Sequence, residues 1–175
     1  MGMENDHAGP QELEPRDPTV EDLVQLCRNL NQQGAKYLIV GGFAMRAAGY
    51  RRSTGDIDLI LDTSLENEAR VFRALESLPD KAVRELQPGE TAKLTVIRVA
   101  DEIVVDLMRS ACGIEYAEAA KEIVYHEVDG VKIPFASPRL LWRMKKPTRR
   151  VKDGPDLYYL LRLFEAQGQI PPDVN

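Results

Sequence analysis

The chain has 175 residues, of which 43% are hydrophobic and 29% are charged, a composition that fits a single globular domain. No apolar run approaches the ~18 residues of a membrane span, and the polar N-terminus lacks the apolar stretch of a signal peptide. We therefore expect a cytoplasmic protein with no membrane partner. Only two cysteines and two histidines are present, which argues against a disulfide scaffold and against a zinc site.

The net charge of −5 is unevenly distributed along the chain. Residues 131–152 contain eight lysines and arginines but no acidic residue, so the remainder of the chain is strongly acidic. This cationic segment is either a solvated basic surface or a surface that meets an anion.

Five elements are predicted in the first half of the chain from apolar spacing, caps and glycines. They are a helix capped by Asp17 and ended by Gly34, a buried strand over 36–40, a short helix ended by Gly49, a strand over 56–61 and a helix over 64–78 capped by Ser64. The apolar stripe predicted for the last helix comprises Leu65, Ala69, Phe72 and Leu75.

The second half is predicted to contain two hairpins followed by two helices. The first hairpin turns at Ala100-Asp101 and the second at Asp129-Gly130; a helix begins at Ser137-Pro138, breaks at Lys146-Pro147, and the last helix follows. The pattern predicts an α/β (α+β) fold with one mixed β-sheet flanked by helices. We expect a disordered tail over 1–17, a core over 18–136 and a helical C-terminal segment over 137–170 packed on that core.

Two aspartates interrupt the strand predicted over 56–61. Side chains alternate across a strand, so Asp56 and Asp58 project from one face while Ile57 and Leu59 are buried on the other. Carboxylates this close would repel each other, and a divalent cation such as Mg²⁺ or Mn²⁺ would remove that conflict. The alternative is an exposed edge strand that carries two solvated acids.

Two further features bear on this choice. Asp106 is a third acid in an otherwise apolar strand, on the face opposite to Ile103, Val105 and Leu107. Gly41-Gly42 closes one strand and opens a short helix, where a close backbone approach suits a phosphate, although an ordinary tight turn would also use glycines. The combination predicts that Asp106 lies beside Asp56 and Asp58.

These residues resemble the signature of the polymerase-beta-type nucleotidyltransferase superfamily. Gly41-Gly42, thirteen residues and then Asp56-Ile57-Asp58 match its glycine pair and acid–apolar–acid triplet, with Asp106 as the later strand acid. "RSTGDIDL" is similar to the form found in small prokaryotic members, the abortive-infection toxin and minimal nucleotidyltransferase groups. A C-terminal segment is also similar to theirs, and its matching residues are Met144, Lys145, Arg150, Lys152, Asp153, Asp156 and Leu157.

The resemblance implies a role for each matching residue. Asp56, Asp58 and Asp106 would bind Mg²⁺ or Mn²⁺ and carry catalysis, with Asp106 helping to deprotonate the attacking hydroxyl. Asp153 would be a further active-site acid or a salt-bridge partner of the basic residues. The residues expected to bind the nucleotide are Gly41, Gly42, Arg52, Ser53, Thr54, Lys145, Arg150, Lys152 and Asp153. The superfamily often has serine at the second glycine position, so Gly42 lacks a hydroxyl that could contact phosphate.

The resemblance also implies the reaction, which is transfer of a nucleoside monophosphate from an NTP to a hydroxyl of RNA, such as a tRNA end, or of a partner protein. A toxin–antitoxin or defence context is expected. Two alternatives remain open: a catalytically weak antitoxin or binding module that occludes a partner, and a housekeeping enzyme that modifies RNA or a small molecule such as an antibiotic.

Overall fold

The computed structural model describes residues 14–173, and residues 1–13 of the predicted tail lie outside this range. The end of that tail is attached to the folded body. The Arg16 amide donates to the Glu102 carbonyl at 2.9 Å, and its guanidinium binds the carboxylate of Asp22 at 2.6 Å. The disordered tail predicted over 1–17 therefore does not extend as far as Arg16.

Helix α1, Val20–Gln32, begins two residues later than a cap at Asp17 would place it. Thr19 is the cap: its hydroxyl accepts a hydrogen bond from the Asp22 amide, and the Asp22 carboxylate accepts from the Thr19 amide at 2.7 Å. The prediction of Asp17 as cap was wrong because Thr19 and Asp22 form a reciprocal capping box in which each side chain satisfies the other residue's amide.

A six-stranded mixed β-sheet forms the centre of the molecule, in the order β3-β4-β2-β1-β8-β7. Its strands are β1 Tyr37–Val40, β2 Ile57–Leu61, β3 Val96–Ala100, β4 Val104–Met108, β7 Ile123–Val128 and β8 Val131–Ala136. Strands β1 and β2 are antiparallel, whereas β4 runs parallel to β2 and β8 runs parallel to β1. A separate two-stranded sheet, β5 Ser110–Ala111 and β6 Ile114–Glu115, was not predicted.

The remaining helices pack around this sheet and confirm the predicted fold class. They are α2 Gly41–Ala47, α3 Leu65–Leu75, α4 Glu90–Lys93, α5 Tyr116–Ala119, α6 Pro138–Lys145 and α7 Gly154–Ala166. Both predicted hairpins are present, as β3–β4 and β7–β8, and Ser137 caps α6 as predicted. Within residues 14–173, none of the helices combines the length and apolarity of a membrane span.

The buried face of α3 differs from the predicted stripe. Leu65 is 64% exposed, while the polar residues Asn67 and Glu68 are buried with Val71 and Leu75. The Asn67 side chain donates to two carbonyls and accepts from a backbone amide, and the Glu68 carboxylate accepts from two backbone amides. The prediction failed because apolar spacing does not register polar side chains that satisfy buried backbone groups.

Candidate active site

Strand register places one row of site residues across four strands. Val40 on β1 faces Asp58 on β2, Asp58 faces Asp106 on β4, and Asp106 faces Arg98 on β3. Directly paired residues project from the same face of a sheet, so the two acids and Arg98 share one face. The helix α2 starts at the residue after Val40, which places Gly41 at the end of this row.

The three predicted acids meet at this face. One carboxylate oxygen from each of Asp56, Asp58 and Asp106 lies within 4.8 Å of those of the other two. Asp106 is buried, while Asp56 and Asp58 are half-buried. Asp56 lies just before β2, where its carbonyl accepts a hydrogen bond from the Thr54 hydroxyl at 2.9 Å.

Burial and mutual repulsion perturb this acidic cluster. Burial, followed by the charges of Asp56 and Asp106, raises the pKa of Asp58 to about 7, although Lys145 and Arg98 act in the opposite direction. Burial and the charge of Asp106 likewise raise the pKa of Asp56. The site therefore holds more negative charge than its own cations neutralise, and a bound cation would relieve it.

The three carboxylates fit a divalent cation. They supply hard oxygen ligands, which Mg²⁺ and Mn²⁺ prefer, and the spacing of their oxygens is close enough for one ion to reach all three. The predicted cation ligands are thus chemically suitable and lie together.

Arg98 belongs to the same cluster and was missed by the sequence prediction. Its Nε donates to Asp106 Oδ1 at 3.0 Å, and its Nη2 donates to Asp106 Oδ2 at 2.8 Å and to Asp56 Oδ2 at 3.0 Å. A two-residue turn at Ala100-Asp101 would pair Arg98 with Ile103. In the structure the connection is longer, so that Ala100 pairs with Val104 and Arg98 pairs with Asp106.

The two predicted glycines are packed against other site residues. Gly41 has φ +64°, and a Cβ there would lie 2.0 Å from Asp58 Oδ2. A Cβ at Gly42 would lie 2.6 Å from both Cβ and Oγ1 of Thr54. A serine at position 42 would therefore collide with Thr54, whose own hydroxyl occupies the space beside this backbone.

Lys145 connects the cationic segment to the acidic side chains that follow it. Its Nζ lies 3.3 Å from Asp153 and 3.1 Å from Asp156, and its side chain is only 10% exposed. Arg150 lies 2.8 Å from Asp153, and Arg52 lies 3.2 Å from Asp156. Of the two roles left open for Asp153, the structure shows the salt-bridge partner.

The charges around Asp153 compete. Burial raises the pKa of Asp153, but the Lys145 charge and the hydrogen bonds from Arg150 and Thr148 outweigh it, so that pKa is lowered. Asp156 likewise forms salt bridges, with Lys145 and Arg52. It matches the C-terminal motif but was not among the predicted site residues.

One cavity of about 480 Å³ brings these parts together. All twelve predicted site residues line it: Gly41, Gly42, Arg52, Ser53, Thr54, Asp56, Asp58, Asp106, Lys145, Arg150, Lys152 and Asp153. Arg98 and Asp156 line the same cavity. Its walls thus combine three clustered acids, the Gly41-Gly42 turn and the cationic segment.

Comparisons with known proteins support the fold. No protein-family model and no curated protein matches the chain. A protein of Thermotoga maritima, described provisionally as a nucleotidyltransferase, aligns with a TM-score of 0.51 at 16% identity over 84% of this chain and 97% of its own. An antigenic nucleotidyltransferase-like protein from Paracoccidioides brasiliensis aligns with a TM-score of 0.53 at 17% identity over 86% of this chain and 79% of its own. The chain therefore shares the fold of these nucleotidyltransferase-like proteins.

Proposed function

We propose that this protein is a divalent-cation-dependent nucleotidyltransferase that transfers a nucleoside monophosphate from an NTP to a hydroxyl group. The observation that carries the proposal is that carboxylate oxygens of Asp56, Asp58 and Asp106 lie within 4.8 Å of one another. They do so in a cavity that is also lined by Gly41 and Lys145. The alternative of a solvated acidic edge strand does not describe β2, because β2 lies inside the sheet between β4 and β1 and its acids share a cavity with the buried Lys145. The resemblance of the motifs to the superfamily supports the same reaction.

The acidic residues would hold the cation and manage the acceptor proton. Asp56 and Asp58 are its proposed ligands, with Asp106 sharing it. Bound Mg²⁺ or Mn²⁺ would neutralise phosphate charge and lower the pKa of the attacking hydroxyl. The carboxylate of Asp106 is proposed to accept the hydroxyl proton as the hydroxyl oxygen bonds to the α-phosphorus, and the bond to the bridging oxygen breaks to release pyrophosphate.

The cationic wall of the cavity would receive the triphosphate. Lys145, Arg52 and Arg150 are partnered by Asp153 and Asp156, so these three cations outnumber their two carboxylate partners. Lys152 adds an exposed positive charge at the same cavity. This excess of positive charge favours a polyanion on this side of the site.

The acceptor is proposed to be a hydroxyl of RNA, such as a tRNA end, or of a partner protein, in the cytoplasm. The motif resemblance favours a toxin–antitoxin or defence context for this reaction.

Transfer of label from NTPs tests the proposal. The protein is incubated with each α-³²P-labelled NTP, with Mg²⁺ or Mn²⁺, and with total RNA or cell lysate. We expect label on a macromolecule, no label from γ-³²P-labelled NTP, and no transfer without the cation. Asp56→Asn combined with Asp58→Asn should abolish transfer, whereas the exposed Asp80→Asn should not.

Absence of label transfer would contradict the proposal. If no NTP labels any macromolecule or small molecule, and NTP binding does not depend on a cation, the enzyme proposal is wrong. That result would favour the catalytically weak binding module.

A further inference from the structure

Two cations approach the acidic cluster, and their surroundings differ sharply. Lys145 is buried, and Asp153 and Asp156 hold it in place. Arg98 has a side chain that is 60% exposed, and it lies on β3, a strand at the edge of the sheet. Of these two, Arg98 is the one that combines direct contact with the cluster and freedom to move away from it.

We propose that the guanidinium of Arg98 competes with the divalent cation for Asp56 and Asp106, and must leave these carboxylates when the cation binds. The inference rests on the cation site of the proposed function, and adds to it a residue that sets how readily the site is loaded.

The contacts of Arg98 are those that a cation would need. Both carboxylate oxygens of Asp106 and one oxygen of Asp56 accept hydrogen bonds from its guanidinium at 2.8–3.0 Å. Arg98 reaches Asp56 past β4, the strand that lies between β3 and β2. Its Nη2 thus bridges two of the three carboxylates that would hold the cation.

A guanidinium and a divalent cation cannot both remain there favourably. They would carry like charges a few ångströms apart and would compete for the same oxygen lone pairs. Removal of the guanidinium costs little packing, because most of the Arg98 side chain is already in solvent. The cost of cation binding therefore includes breaking three hydrogen bonds to charged groups.

Direct measurement of Mn²⁺ binding tests this inference without nucleotide or catalysis. Binding is measured by calorimetry, and by the loss of the free Mn²⁺ electron paramagnetic resonance signal, at pH 8. Arg98→Gln keeps much of the side-chain length but removes the charge, and it should bind Mn²⁺ about tenfold or more tightly than the parent. Arg98→Lys keeps a single charge without the planar fork and should be intermediate.

Arg84→Gln is the matched control. Arg84 is also an exposed arginine, with 57% of its side chain in solvent, and it is paired with Glu76 at 3.4 Å. Its replacement should leave Mn²⁺ affinity unchanged.

Chemical rescue separates competition from a structural role. Free guanidinium chloride at a non-denaturing concentration should weaken Mn²⁺ binding to Arg98→Ala more than the same concentration of sodium chloride does. A structural role of Arg98 would not make the two salts differ. Thermal melts of each variant show that the folded protein is being measured.

The outcomes distinguish this inference from the proposed function. If the parent binds Mn²⁺ and Arg98→Gln binds it equally or more weakly, competition is overturned while the cation site stands. If neither parent nor variant binds Mn²⁺, the cation site and the competition both fail. If Arg98→Gln binds Mn²⁺ more tightly than the parent, and the added substitution Asp56→Asn abolishes that binding, the cation site and the competition are both supported.

Discussion

Gly41 shows how closely one backbone position is fitted to a site side chain. Its φ of +64° disfavours any residue with a Cβ, and the space where a Cβ would stand is already taken by Asp58. Backbone strain and steric overlap with Asp58 therefore both disfavour any other residue at position 41. A phosphate contact is not needed to explain why glycine is present there. The turn brings the chain against the acidic cluster, and glycine is what permits that approach.

Replacing Gly41 with alanine should cost more than backbone strain alone. Gly34 is the matched control, because its φ is +67° and a Cβ there would meet nothing within 4 Å. We expect Gly34→Ala to lower the free energy of unfolding by about 1 kcal/mol, and Gly41→Ala by about 2 to 4 kcal/mol. Chemical denaturation of both variants measures the difference.

A double-mutant cycle identifies the origin of that difference. Asp58→Ala removes the atom closest to the added Cβ, so Gly41→Ala should cost less in an Asp58→Ala background. Equal costs in the two backgrounds, or equal effects of Gly34→Ala and Gly41→Ala, would show that Asp58 does not constrain the turn.

At the scale of elements, one buried lysine joins α6 to α7. Lys145 is the last residue of α6, and its partners Asp153 and Asp156 lie just before and within the first turn of α7. Between them α6 ends, and the chain passes through Arg149, which has a φ of +53°. The lysine therefore holds together the two sides of a break and sets one wall of the cavity.

Lys145→Met should destabilise the protein, because it leaves two buried carboxylates with only their arginine partners. We expect the free energy of unfolding to fall by about 3 kcal/mol, the low end of the penalty for removing one partner of a buried ion pair, because Arg52 and Arg150 still pair with the two carboxylates. Arg162→Met breaks the exposed pair with Glu165 at 2.8 Å and should change stability by less than about 0.5 kcal/mol. Urea unfolding of both variants provides the comparison, and similar losses would contradict a supporting role for Lys145.

The elements also show what sequence patterns can and cannot reveal. The β3–β4 hairpin was predictable from its turn signal, but its register was not, because a two-residue turn at Ala100-Asp101 would pair Arg98 with Ile103 instead of Asp106. The close approach of Gly41 to Asp58 was not predictable either, because it requires β1 to lie beside β2. Local spacing records alternation and turns, whereas contacts between distant segments depend on how the whole sheet is ordered.

At the scale of the whole molecule, the sheet order assembles the site from distant segments. Strand β4 is placed in parallel beside β2, with β3 outside it, and the C-terminal helices close the opposite wall of the cavity. The predicted fold class is correct, but this order could not be derived, since a parallel neighbour has no turn to signal it. The motif spacing indicated which residues form the site, but it did not show which strand order brings them together.

The assembled acidic cluster should make global stability depend on pH. In the unfolded chain Asp58 would titrate near the ordinary aspartate pKa of 3.8, but in the folded protein that pKa is about 7. Between these values the folded state binds more protons than the unfolded state, so the free energy of unfolding falls as pH rises. The raised pKa of Asp56 acts in the same direction.

We expect the cation-free protein to lose on the order of 2 kcal/mol of stability between about pH 4 and pH 7 through this cluster. Asp58→Asn cannot ionise, so it should flatten the profile and be more stable than the parent at pH 8, while Asp80→Asn controls for loss of one surface charge.

Mg²⁺ at 100 times its dissociation constant should raise the free energy of unfolding of the parent by about 2.7 kcal/mol at pH 8, because it binds only the folded state. Denaturation across pH, with chelator or with Mg²⁺, measures all three effects. A parent that gains stability from pH 4 to pH 7 in chelator, with Asp58→Asn following the same curve, would show that the carboxylates do not repel one another as their arrangement requires.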